Sequence, residues 1–103
     1  MNIGFGRRAK SVRIIHMKVI ILYHPVSESA RVVEDFARDF ARQTSHELEL
    51  ISLESRDGAA AASLYDIVRY PAILALSNSG EILRSWQGPV LPLMNELMYY
   101  IQD

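Results

Sequence analysis

The apolar positions of this chain switch between two periods, and the switches divide it into elements. Lys18 to His24 (KVIILYH) is a continuous β-branched and aromatic run, the pattern of a strand buried on both faces. Pro25 stops it. From about Ser27 to Gln43 the period is helical. Val32, Val33, Phe36, Ala37, Phe40 and Ala41 fall on one face, and Arg31, Glu34, Asp35, Arg38, Asp39 and Arg42 on the other. Glu34 and Arg38 have the (i, i+4) spacing of an ion pair. Ser27 or Ser29 is placed to cap this helix, with Glu28 near the positive end of its dipole.

His46 to Leu53 (HELELISL) returns to strand character, with Glu47 and Glu49 alternating with Leu48 and Leu50. Acidic residues in such a strand suit a sheet edge, where they discourage pairing with other chains. Ser55 to Gly58 is expected to be a turn, and Ala59 to about Ile67 a short alanine-rich helix broken by Tyr70-Pro71. Ala72 to Leu76 and Glu81 to Gln87 are strands joined by the turn Ser77-Asn78-Ser79-Gly80. Gly88-Pro89 ends the second of them. Leu93, Met94, Leu97, Met98 and Ile101 mark the apolar stripe of a last helix. The predicted order is β-α-β-α-β-β-α, a single α/β domain. Its first βαβ unit contributes two parallel strands and its hairpin two antiparallel ones, so the four-stranded sheet is mixed and flanked by helices.

Composition narrows the chemistry. The chain has 103 residues, 50% of them apolar, and no cysteine. This excludes disulfides, thiolate metal sites, cysteine nucleophiles and dithiol redox work together. A net charge of -1 gives no reason to expect nucleic acid, and no apolar run approaches the about 20 residues a spanning helix needs, so a cytoplasmic protein is expected. The charge is unevenly placed. Residues 1–16 hold Arg7, Arg8, Lys10 and Arg13 and no acid, whereas residues 17–103 hold seven basic and twelve acidic side chains. Residues 1–16 are expected to be a basic extension, partly mobile or with Val12 to Ile15 as a short extra strand, and residues 17–103 the domain. His16, His24 and His46 lie on separate elements without metal-ligand spacing, so no metal is expected.

The predicted order, with a proline opening the third strand, resembles the thioredoxin fold. The stretch IVRYPAILALSNSGEILRSWQG carries the resemblance: Pro71 fits the family's cis-proline position, Gly80 its hairpin glycine and Gly88 the glycine ending its last strand. The resemblance implies a cis Tyr70-Pro71 bond beside the 24–31 loop, with a minimal thioredoxin-like domain around it. The loop departs from the family. Where thioredoxins carry Cys-x-x-Cys, this chain has HPVSESAR. Counting from the strand end puts the motif at Glu28 to Arg31, and counting from the helix stripe puts it at Val26 to Ser29; neither register supplies a thiol. The buried strand also lacks the family's aspartate, and the sole tryptophan, Trp86, is in the last strand. Disulfide exchange needs an attacking thiolate, so the family's principal activity is chemically unavailable.

The expected role is therefore a cysteine-free, non-redox module that binds a peptide or protein through Pro25, Ser27, Ser29, Arg31, Tyr70, Pro71 and Ala72, without a cofactor. The alternative comes from a second resemblance, to glutathione transferases whose loop carries a serine with an arginine four residues later, as Ser27 and Arg31 are spaced. It implies a Ser27 hydroxyl stabilising the glutathione thiolate at a helix N-terminus. The acidic residue and serine that hold the γ-glutamyl group in those enzymes are missing, since Ser85 is preceded by Arg84. A plain N-cap with a solvated arginine accounts for the same residues. His24, beside Pro25, is the remaining catalytic candidate, because histidine titrates near neutral pH. Tyr65 and Tyr70 are expected to pack around the proline turn. A third expectation is a structural homodimer through Leu93, Met94, Tyr99 and Tyr100, which extend the apolar face of the last helix.

Overall fold

The first strand is apolar from Val19 to Tyr23 because both of its faces are covered there. The computed structural model describes residues 18–101; the expectations for residues 1–16, including an extra strand at Val12 to Ile15, lie outside the described residues. Strand β1 (Lys18–Tyr23) runs through the middle of a four-stranded sheet of order β2-β1-β3-β4, with β2 at Glu49–Ser52, β3 at Ala72–Leu76 and β4 at Ile82–Gln87. β1 is parallel to β2 and antiparallel to β3, and β3 is antiparallel to β4. The helices are α1 (Ala30–Thr44), α2 (Arg56–Leu64) and α3 (Met94–Ile101).

Successive strand residues point to opposite faces, so the sheet divides the core in two. Val19, Ile21, Tyr23, Ile73 and Ala75 meet Val33 and Phe40 of α1 and Leu97 of α3. Ile20, Leu22, Ala72, Leu74 and Leu76 face the other way, against Ile67 and Ala61 and Ala62 of α2. Phe40, Ile21, Leu22, Ile73, Leu74, Leu97 and Val33 are fully buried, each worth about 1.5–3 kcal/mol of transfer free energy. Among the described residues, no helix is long and apolar enough to cross a membrane.

Several local expectations are corrected. Val32 is exposed rather than on the buried face of α1, because the stripe centres on Val33, Phe36 and Phe40 and one sheet contact spans a narrower arc. Arg38 pairs with Asp35 at 2.9 Å instead of Glu34, and Glu34 accepts a long hydrogen bond (3.4 Å) from the Tyr23 hydroxyl across the interface with β1. Ser29 occupies the N-cap position of α1 but makes no side-chain cap; the Ser27 hydroxyl turns away to donate to the His24 carbonyl. β2 is only the second half of the predicted 46–53 strand, Glu49–Ser52.

Gly58 lies inside α2 and not in a turn before it. Ser55 caps that helix, accepting from the Gly58 N–H at 2.9 Å, and the helix then starts at Arg56. A Cβ on Gly58 would stand 1.9 Å from the Ser52 carbonyl oxygen, so the glycine serves a close helix–strand approach. α2 ends at Leu64, and Ile67 is buried beyond it. Leu93 precedes α3 and is exposed, its N–H donating to Glu96 Oε1 at 2.9 Å, so it does not belong to the buried stripe.

Candidate functional site

The register of the sheet brings three distant segments to one end. Leu22 pairs with Ala72 and Ala72 with Gln87, so the loop after β1, the turn before β3 and the turn after β4 emerge together. The Tyr70-Pro71 bond is cis. The Pro71 carbonyl accepts from the Gly88 N–H at 3.0 Å, which ties the 88–89 turn to the proline. The His24 ring stands edge-on to Tyr70, with centroids 5.6 Å apart, which places the 24–31 loop beside the same proline.

The predicted residues divide into buried supports and exposed groups. Pro71 and Ala72 are buried and Pro25 is half-buried; His24, Ser27 and Arg31 are exposed, with Ser29 and Tyr70 between. Ser27 is engaged locally, donating to the His24 carbonyl at 2.7 Å and lying 3.2 Å from the Ser29 hydroxyl. Tyr70 donates its phenol proton to the Ile67 carbonyl at 2.7 Å, so its ring is held while its hydroxyl is turned back into its own turn. The backbone N–H and C=O of Tyr70 have no backbone partner among the described residues. Tyr65 lies elsewhere, donating to the Gly80 carbonyl at the opposite end of the sheet.

Two features of this end were not named from the sequence. Arg69 lays its guanidinium over Gly88, where an added Cβ would lie 3.0 Å from its terminal nitrogen; φ of +111° makes glycine the suitable residue there. The sequence signal was a cation two positions before the proline. The second feature is an apolar rim. Val26, Val68 and Val90, one from each converging segment, are 87%, 75% and 83% exposed. Each is unremarkable alone in the sequence, and only the sheet register places them at one end.

The N-terminus of α1 adds positive character. No acidic residue lies in its first turn, and Arg31 does, against the usual preference for acids at that end. Among the described residues neither Arg31 nor Arg69 forms an ion pair. The end of the sheet therefore offers an aromatic ring, open backbone groups, two cations and an apolar rim, but no thiol. No group of three or more metal-ligating side chains gathers among the described residues.

Comparison with solved structures identifies the fold. The chain is similar to the reduced thioredoxin pre-protein of Schistosoma mansoni, at 12% identity and a TM-score of 0.62, over 96% of this chain and 89% of that one. It has a thioredoxin-like fold. Fasciola hepatica thioredoxin is similar at 12% identity and a TM-score of 0.63, over 90% of this chain and 85% of its own. The Drosophila germline thioredoxin Deadhead is similar at 14% identity and a TM-score of 0.60, over 90% of this chain and 85% of its own. No family model matches the sequence, and no curated protein matches it. The thioredoxin-like domain keeps the proline, the hairpin glycine and the strand-ending glycine of the resemblance, with cis geometry at Pro71 and positive φ at Gly80 and Gly88. It keeps no cysteine with which to exchange disulfides.

Proposed function

We propose that this thioredoxin-like domain is a non-redox binding module that takes an extended peptide or protein segment bearing an acidic side chain or carboxylate. The observation that carries the reading is the open backbone of Tyr70, between the 24–31 loop and the Gly88 turn. An extended segment can pair with those groups as it would with a sheet edge. Val26, Val68 and Val90 then supply apolar contact on either side, and Arg31 and Arg69 favour negative charge. Pro25, Ser29, Pro71 and Ala72 shape the floor and the loop that such a ligand would meet, and Ser27 holds that loop through His24.

The test is amide shift mapping of the 103-residue chain with a short extended acidic peptide and with its lysine-substituted counterpart. The acidic peptide is expected to shift His24 to Arg31, Arg69 to Ala72 and Gly88, and the lysine peptide to leave them unmoved. Shifts confined to residues 91–101, or equal effects from both peptides, would overturn the reading.

A further inference from the structure

The two edges of the sheet are guarded differently. β2 carries exposed Glu49, paired with Lys18 at 3.1 Å, and Glu47 stands just before it. Charges of this kind deter another chain from pairing. β4 (ILRSWQ) has no proline and a single charge, Arg84, whose guanidinium lies over the Trp86 ring, and among the described residues it pairs only with β3. Ile82 and Leu83 are 40% and 42% exposed there. The Tyr65–Gly80 hydrogen bond ties the end of α2, with its exposed Leu64, to the same hairpin.

We propose that β4 pairs antiparallel with β4 of a second copy of this chain, about a two-fold axis through Ser85, so that two sheets become one. This surface is the outer edge of β4, and it borders the end of the sheet assigned to peptide binding at Gln87, whose Oε1 accepts from the Val68 N–H at 3.4 Å.

The side chains of β4 select the register. A two-fold axis normal to the sheet keeps each core on its own face and must pass through a residue, because paired side chains share a face. An axis at Arg84 would set two guanidinium groups directly opposite, which is destabilising. An axis at Trp86 would carry Arg84 beyond the strand, opposite Gly88. An axis at Ser85 sets the two small serines opposite each other, Arg84 opposite Trp86 of the second copy, and Leu83 opposite Gln87. Within one chain the Arg84 guanidinium already lies 4.8 Å from the Trp86 ring centroid, so pairing brings each indole a second cation. The irregularity between Ala75 and Leu76 leaves Leu83 as the extra residue of β4, and Arg84 to Gln87 keep regular pairing with β3. The contact is short, so the association is expected to be weak and reversible.

Sedimentation of the full chain over a concentration series tests this, with fluorescence of Trp86, the sole tryptophan, recorded in parallel. The expected result is a monomer–dimer equilibrium, with an indole emission change over the same range. Ser85→Lys and Ser85→Glu, each checked for folding by circular dichroism, should be monomeric. Their equimolar mixture should associate about tenfold or more tightly than either alone, because opposite charges then meet at the axis. A wild-type chain that stays monomeric to about 1 mM overturns the proposal. So does a dimer that persists unchanged in Ser85→Lys, which would use another surface such as that of Leu93 and Tyr99. Amide exchange of the wild-type chain gives a readout that needs neither variant to fold. The Gly88–Pro71 hydrogen bond and the β3–β4 register turn the Arg84 and Trp86 N–H groups toward β3 and the Ser85 N–H outward. Exchange at Ser85 should therefore slow with concentration, and concentration-independent exchange there overturns the pairing.

Discussion

The imidazole of His24 meets the ring of Tyr70 edge-on, with centroids 5.6 Å apart and planes at 75°. This contact joins the end of the first strand to the turn that opens the third, residues far apart in the chain. It lets the 24–31 loop and the proline turn act as one surface. Edge-to-face geometry of this kind contributes about 0.5–1.5 kcal/mol beyond area burial.

Tyr70 is therefore expected to contribute in two separable ways. Tyr70→Phe removes the hydrogen bond to the Ile67 carbonyl and should cost about 1 kcal/mol in urea denaturation. Tyr70→Ala also removes the ring. A double-mutant cycle with His24→Ala should then give a coupling of about 0.5–1.5 kcal/mol. A coupling indistinguishable from zero would mean that the two rings are neighbours without mutual stabilisation.

Gly58→Ala is expected to be among the most damaging substitutions in the chain. The new methyl group would meet the Ser52 carbonyl oxygen at 1.9 Å, and backbone must move to relieve it. A loss of about 3 kcal/mol or more is expected from such overpacking, against a helix-propensity gain of about 1 kcal/mol. Thermal unfolding followed by circular dichroism measures the balance, and a stabilised variant would contradict the close approach of α2 and β2.

Ser55→Ala removes the hydroxyl that accepts from the Gly58 N–H and donates to the Ser52 carbonyl at 2.6 Å. The expected cost is about 1–2 kcal/mol by chemical denaturation. Ser29→Ala, at the corresponding position of α1, makes no side-chain cap to lose and should cost less. Equal costs at the two positions would contradict this difference.

Tyr23 gives stability a dependence on alkaline pH. Burial, and then the carboxylate of Glu34, push its phenol above the ordinary tyrosine value of 10.0. The folded protein thus holds this proton more tightly than the unfolded chain does. Its contribution is complete below pH 10 and is lost as pH rises through the folded-state value. Unfolding free energy measured from pH 8 to 11 should fall more steeply in the wild type than in Tyr23→Phe. Parallel profiles would remove Tyr23 as the source.

The element order could be read from the chain because period and punctuation are local properties. Val19 to Tyr23 are apolar without a break because β1 has cores on both sides, and Val33, Phe36 and Phe40 recur at helical spacing because one face of α1 meets the sheet. Tyr70-Pro71, Gly80 and Gly88 were legible as breaks and turns for the same reason, and the resemblance to the thioredoxin fold supplied the cis geometry at Pro71. Where local signals had more than one cause, the reading failed. Gly58 looked like a turn residue because a glycine needed for close packing and one needed for a turn are the same letter. Glu34 had a suitable partner in Arg38 four residues on, but the Tyr23 hydroxyl reached it from another element and Asp35 took the arginine. The sequence by itself determined the strands, the helices and the absence of thiol chemistry. Only the tertiary structure decided that Arg69, Val26, Val68 and Val90 share one end of the sheet, because the pairing of Leu22 with Ala72 and of Ala72 with Gln87 sets that neighbourhood. Such pairing links residues far apart in the chain, and no local period records it.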